Sequence, residues 1–535
     1  MALLLCTVSL SGQTGTKNYI KATEYLDEAA SANEAVITVQ YFDGLGRPEQ
    51  TVSIKATPDG KDIVTKTEYD GFGRQAKDYL PVPASQSNGN FINPANITGN
   101  YYQTNYTQSV WYSEKTFENS PLNRVMAQAA PGDVWAIGGG HEIEFEYKTN
   151  TLVDQVSIYW LNSGGDIQKG NYNDDSDYDF YEAGTLYKTI TTDENGHKIY
   201  EFKDKQGRVI LKRSFVTEYP LSGRPGPNPP TGTNKKADTY YVYDIYGNLA
   251  AVIPPLASEK TDPNATIIAN LCYIYKYDER NRLIEKKLPG KEWEYMVYDK
   301  QDRLAATQDA NLRSQNKWLF TKYDKFGRVV YTGIFTSSDS RATLQTSVDS
   351  YGSNNEERKT TVQFTQNGLQ VYYSKNAFPK GFSDILTVSY YDTYDPPKPD
   401  LQELFEQTLL IGTNGQLKGL PVSSFVRVIG TTNWEKTYTA YDNLRRPVGA
   451  YKLNHLGGFT LTESKLNFKG LPIKTSIKHK RTDAGIQVTT VENFDYDQML
   501  RLTDHHHSIN GQTPQLIAKN EYDPLGQLVS KKVGG

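Results

Sequence analysis

The chain has 535 residues, more than one hydrophobic core organises, because single cores stop growing near ~250–300 residues; several domains or a repeat architecture are required. Its 58 Lys+Arg and 62 Asp+Glu leave a net charge of −4, without the basic excess of a nucleic-acid-binding chain, and no stretch approaches the ~18 apolar residues of a membrane-spanning helix. Tyrosine is in excess, 39 against 19 Phe and 6 Trp, and it suits half-buried pleated surfaces, so broad β-sheet is expected.

In chain order, residues 1–16 read as the end of a secretory signal peptide: a short apolar run, Ala2 to Leu10, then a polar stretch with Ser9 and Ser11 as small residues before Gly12. Leu5 occupies the place where a lipoprotein anchor at Cys6 needs a small residue. With the signal removed, Cys272 is the one remaining cysteine, and a secreted chain with one cysteine has no internal disulfide. Cys272 sits in the strand-like run Leu271–Tyr277 and reads as a small buried hydrophobe.

Residues 17–218 form a first β domain. It holds two early repeats within 17–83, a polar Asn/Tyr-rich insertion over 84–120, and alternating segments such as Glu142–Tyr147 that read as strands with one solvated face. Residues 219–238, with Pro220, Pro225, Pro227, Pro229 and Pro230, are a linker or exposed loop. Residues 239–535 are a strand array, densest over 239–335, interrupted around 336–430 by polar loops and resumed after 431. The interruption includes a turn at Pro396–Pro399 and one short helix over Leu401–Glu406.

The array rests on one recurring pattern: aromatic, Asp, two variable residues, Gly, Arg, apolar. Copies with both Gly and Arg turn at Asp43, Gly46 and Arg47; at Asp70, Gly73 and Arg74; at Asp324, Gly327 and Arg328; and at Asp204, Gly207 and Arg208, where Phe202, two residues before Asp, is the aromatic. Asp244 with Gly247 and Asp523 with Gly526 keep the glycine, while Asp278 with Arg282 and Asp299 with Arg303 put Asn281 and Asp302 in its place. Looser copies are Asp442 with Arg446 and Asp497 with Arg501, and a degenerate one lies near Phe468–Leu471. Neighbouring Asp positions such as Asp278 and Asp299, or Asp43 and Asp70, lie 21 to 27 residues apart, the length of one β-hairpin and its connection.

The pattern has a local cause. An Asp carboxylate bonds a backbone N–H two residues on and opens the turn. Glycine tolerates the positive φ of a type I turn closed by a G1 bulge, and Asn and Asp are the next most tolerant. Arg445 and Leu500 stand at the glycine position of the two looser copies, where a different turn is expected. The Arg is expected to stack on or pair with the neighbouring hairpin.

The repeated Tyr-Asp-x-x-Gly-Arg-Leu/Val pattern resembles the YD repeat of RHS (rearrangement hotspot) proteins, from about Phe42 to Leu528. The opening stretch, Val39 to Pro48 and on through Tyr69–Arg74 to Pro83, looks like the N-terminal RHS-associated domain of Bacteroidota proteins. The resemblance implies an all-β fold, a YD-repeat hairpin array forming a spiralling sheet or hollow shell. It also implies a cargo such as a C-terminal polymorphic toxin, a secreted or cell-surface location, and export through the type 9 route with its translocon components as partners. The RHS core signature, the self-cleavage segment and the toxin are absent from these residues, so the chain is expected to be an N-terminal portion or a cargo-less form.

Candidate chemistry is sparse. His505-His506-His507 reads as an exposed hairpin tip before Asn510-Gly511, since neighbouring side chains in a strand alternate and cannot converge on one metal. The acidic run Asp174–Asp179 lacks the Gly and terminal Glu of an EF-hand loop. Gly138-Gly139-Gly140 is followed by no Lys-Ser/Thr, and no nucleophile elbow occurs. A non-enzymatic shell segment without catalytic residues, cofactor, metal or nucleic-acid partner is therefore expected. The alternative is a surface adhesin whose exposed Tyr and Trp stack on glycans.

Overall fold

The computed structural model describes residues 16–27, 35–170, 179–218, 233–260, 265–394, 407–410, 412 and 415–534. The signal-like segment up to residue 15, the acidic run up to residue 178, the Pro/Gly-rich stretch over 219–232, and the turn and helix expected over 396–406 lie outside the described residues.

The chain is all-β, and nearly all of its strands join antiparallel to their sequence neighbours. A first sheet takes Asn18–Tyr25, Ala35–Phe42, Pro48–Ile54, Ile63–Lys66 and Val82–Pro83 in that order. A long second sheet begins at Lys77–Tyr79, passes through Tyr112–Phe117, Val125–Ala129 and Ile143–Thr149, and continues from Tyr187–Thr192 to Leu528–Val533. Its first strand pairs with Tyr112–Phe117 and its last with Gln515–Tyr522. Among the described residues no ladder joins these two ends, so the sheet is an open ribbon rather than a closed barrel. A bridge from Thr67 to Asp78 links the two sheets.

Alternation along the strands produces a core on one face. In Lys317–Tyr323 every second residue, Trp318, Phe320 and Lys322, is buried, as the two-residue period of a strand requires. Residues paired across the ribbon share a face. Phe202, Leu211, Tyr240 and Ile253 therefore form one row, Val297, Ala306 and Phe320 another, and Tyr331, Val388 and Phe425 a third. Each large side chain fully buried this way contributes about 1.5–3 kcal/mol.

Three excursions of the chain cover that face. Residues 150–170 and 179–186, with the small hairpin Tyr159–Leu161 and Ile167–Lys169, bring Val156 and Ile167 onto the Phe202–Leu211 row. The helices Pro255–Ser258 and Ala265–Leu271 bring Ala257 and Cys272 to the same cluster. Residues 337–383 bring helix Arg341–Asp349 and the hairpin Phe364–Gln366 and Leu369–Val371 onto Val297, Trp318 and Tyr331.

Two sequence expectations change here. The interruption read as polar loops contains helix Arg341–Asp349, capped by Ser340, whose side chain accepts from Thr343 N. Its Leu344 and Val348, four residues apart, make one apolar stripe. Leu271 closes a helix instead of opening a strand, and the strand starts at Tyr273. Cys272, between them, is fully buried, and burial pushes its thiol pKa up to about 11.

Candidate functional site

The ten Asp turns share one geometry. At Asp299 the backbone N–H of Gln301 and of Arg303 both donate to Oδ1, at 2.9 and 3.0 Å. Arg303 Nε donates to Oδ2 at 2.8 Å, and the ring closes with Asp299 N–H to Arg303 O at 2.8 Å. The same set recurs at Asp43, Asp70, Asp204, Asp278, Asp324, Asp442 and Asp497. At Asp244 the amide of Asn248 takes the place of the guanidinium, 3.0 Å from Oδ2. Most of the hairpins show a register shift where the aromatic precedes Asp, the signature of a bulge.

Arg445 and Leu500 do not make a different turn. They adopt the glycine conformation, with φ of 64° and 60°, and keep the same backbone bonds to Asp442 and Asp497. The closed ring of hydrogen bonds holds them in the left-handed region despite the Cβ, at a cost of about 1 kcal/mol each.

Strand alternation puts the ten turns along one rim, that at Asp43 on the first sheet and the others following into the ribbon, and most are stapled to a neighbouring hairpin. The guanidinium of Arg47 lies over the Tyr69 ring, that of Arg208 over Tyr243, Arg282 over Tyr298, Arg303 over Tyr323, Arg328 over Tyr391 and Arg501 over Tyr522, at 4.2 to 5.2 Å from the centroid. The same tyrosines donate their hydroxyls backwards, to the carbonyl just after the preceding hairpin's turn. Examples are Tyr69 to Pro48 at 3.0 Å, Tyr243 to Val209 at 3.0 Å, Tyr298 to Leu283 at 2.6 Å and Tyr522 to Leu502 at 2.7 Å. Beyond the ring, the arginine head reaches the next turn: Arg282 to Asp302 Oδ1 at 2.7 Å, and Arg446 to Asn467 O at 2.7 Å.

The degenerate copy near Phe468–Leu471 is a turn of the same kind, opened by Asn467 and closed at Gly470. Sequence reading missed three more: Asp193 with Gly196, Asn162 with Gly165 and Asn454 with Gly457 form the same backbone ring. Asp-x-x-Gly and Asn-x-x-Gly were the available signals, since Asn offers the same acceptor oxygen. Asn467 lies on the turn rim, whereas Asp193 and Asn454 close the opposite ends of their hairpins. Tyr147 and Tyr391, under Arg124 and Arg328, lacked a regular motif to mark them.

The ribbon's ends meet. Tyr101 Oη donates to Asp523 Oδ2 at 3.1 Å and Tyr106 Oη at 3.4 Å. Gln498 Nε2 donates to Lys55 O at 2.8 Å, Lys469 pairs with Glu24, and Leu525 packs on the cluster of Val39, Tyr41, Val52 and Val64. Beside this seam lies a groove of about 720 Å³, lined by Ile37 and Ile54 on one side and Phe494, Met499 and Leu500 on the other. Elsewhere on the rim the third turn residue is exposed: Phe72 at 83%, Tyr246 at 72% and Phe326 at 61%.

His505, His506 and His507 are not at a hairpin tip. They lie within strand Leu502–Ile509, half-buried, and the tip is Asn510-Gly511. His505 stacks on Phe494 at 4.6 Å and lies 3.4 Å from Glu492, while His506 is 3.8 Å from Asp495. Among the described residues no group of three or more His, Cys, Asp or Glu is placed to hold a metal ion, and no helix is long and apolar enough to cross a membrane.

Turns, staples and seam define an all-β hairpin-ribbon protein. Residues 15–149 match the family model described as "Domain of unknown function (DUF6443)". Solved structures similar to the chain include a TcdB2-TccC3-TEV crystal structure, at 12% identity and a TM-score of 0.45, covering 100% of this chain and 23% of that one. Another is TcdB2-TccC3 without its hypervariable C-terminal region, at 13% identity, a TM-score of 0.39, and coverage of 96% and 22%. A third is a Tc holotoxin pore of Photorhabdus luminescens carrying a TccC3 variant, at 11%, 0.41, and 96% and 22%. The chain spans under a quarter of the length of these chains. No curated protein matches it in sequence.

Proposed function

We propose that the chain is a wall segment of a secreted RHS/YD-repeat shell of Bacteroidota type, non-enzymatic itself, that encapsulates or displays a cargo such as a toxin. The observation that carries this reading is the stapled ribbon whose first sheet docks on its last hairpins. A globular enzyme buries its sheet around one site, whereas this sheet is extended hairpin by hairpin by an identical local device and curls until its ends touch. Stability then comes mainly from nearest-neighbour contacts, so length is not limited by a single core. The charged side chains of the turns are committed to structure: the Asp oxygens close the turns and the Arg heads clamp the next hairpin.

The test is limited proteolysis of a candidate toxin polypeptide produced together with the chain. An enclosed polypeptide survives protease that digests the same polypeptide made alone. Equal digestion of both overturns encapsulation.

A second reading, a glycan-binding adhesin, is favoured by one observation: Phe72, Tyr246 and Phe326 present exposed rings along one rim, and exposed aromatic faces stack on sugars. Retention on a glycan array, lost in a Phe72→Ala/Tyr246→Ala/Phe326→Ala variant, supports it; no retention of the unaltered chain counts against it.

A further inference from the structure

Of the ten rim turns, only the one at Asp523 has a fourth residue after Asp that leaves Oδ2 to others. Gln527 supplies its backbone N–H to Oδ1 at 2.8 Å, while Oδ2 takes the hydroxyls of Tyr101 and Tyr106. In the other nine turns a guanidinium or, at Asn248, an amide occupies that oxygen. Both tyrosines stand on helix Asn100–Tyr106. The helix is fixed to the first sheet's side of the seam by Tyr102, whose hydroxyl donates to Pro81 O at 2.7 Å and whose ring stacks on Trp111.

We propose that this exception is a latch: Gln527 frees the Asp523 carboxylate so that it holds helix Asn100–Tyr106 and joins the two ends of the ribbon, and the seam parts there while the ribbon stays folded. Three features make the seam the place that opens. Among the described residues no backbone ladder crosses it, since Leu528–Val533 pairs with Gln515–Tyr522 and Lys77–Tyr79 with Tyr112–Phe117. The groove of about 720 Å³ leaves it incompletely filled. Its direct polar links are few, and a hydrogen bond to a charged oxygen counts for most where it has no ladder beside it. The latch stands on chain geometry alone and holds whether the wall encloses a cargo or displays one.

The experiment is hydrogen exchange on the full chain, comparing Gln527→Arg with Tyr101→Phe/Tyr106→Phe. The arginine restores the within-turn pair seen at Arg501 and draws the carboxylate away from the tyrosines. The double variant removes the two hydroxyls across the seam and leaves the turn unaltered. Exchange in residues 100–106 and 515–533 rises roughly ten-fold or more in both, with the strands around Trp318 and Tyr331 unchanged, and the radius of gyration in scattering increases. Unchanged protection in the double variant overturns the latch. So does a rise spread evenly over the ribbon in both variants, which is general destabilisation and not a parting seam.

Discussion

The guanidinium of Arg303 lies 4.5 Å from the centroid of the Tyr323 ring, and the hydroxyl of the same tyrosine returns 2.9 Å to Leu304 O, the residue after that arginine. One residue pair thus clamps two consecutive hairpins from both directions: arginine forward onto the ring, tyrosine back onto the chain. Repeated along the rim, this clamp explains why an aromatic precedes Asp and an arginine follows the turn.

Removing the hydroxyl alone, Tyr323→Phe, costs about 1 kcal/mol, the net value of one hydrogen bond. Arg303→Ala costs more, about 2–3 kcal/mol, because the nearly buried Asp299 carboxylate loses its charged partner as well. Urea unfolding compares the two, and equal losses contradict the clamp.

The turns that lack glycine predict a gain. Arg445→Gly relieves a φ of 64° and stabilises by up to ~1 kcal/mol, less the entropy that glycine adds to the unfolded chain. Gly327→Ala forces a Cβ into a φ of 79° and destabilises by about 1 kcal/mol. Thermal unfolding of the pair gives shifts of opposite sign.

Burial raises the phenol pKa of the rim tyrosines Tyr243, Tyr277, Tyr298, Tyr323, Tyr391 and Tyr441 above 10. A raised folded pKa gives stability that is fully present below the unfolded value and is lost as pH rises beyond it. The melting temperature is therefore flat up to about pH 9 and falls steeply from pH 10 upward, with unfolding releasing protons from many tyrosines together. Phenolate absorbance that appears gradually, ahead of loss of structure, contradicts this.

The excursion 337–383 is held to the ribbon by a fully buried ion pair. Lys322 Nζ donates to Glu356 Oε1 at 2.9 Å, and Glu356 also accepts from Tyr331 and Ser374. Lys322→Met strands that carboxylate and costs about 3–5 kcal/mol, whereas Lys322→Met/Glu356→Gln recovers much of the loss. Melting curves of the single and double variants decide it, and a double variant no better than the single contradicts the pairing.

The hairpin turns were legible because everything that makes one lies within five residues: Asp43 binds its own Arg47, so residue types at fixed spacing suffice. Helix Arg341–Asp349 was hidden because its apolar stripe is short, Leu344 and Val348, and it is stabilised by the Trp318 and Tyr331 face beneath it. The histidine run was misplaced because strand length depends on pairing: Phe494 and Glu492 opposite His505 and His507 extend the strand to Ile509.

The sequence by itself determined the all-β class, the turn geometry and the repeating staple, since these are set by hydrogen bonds between near neighbours. Only the tertiary structure decided that all ten turns share one rim, which face the excursions cover, and where the ribbon closes. Tyr101 and Asp523 are 422 residues apart, and nothing in either local pattern names the other. The contact exists because the accumulated curl of the whole ribbon brings the two ends together, at the one turn whose carboxylate Gln527 leaves available.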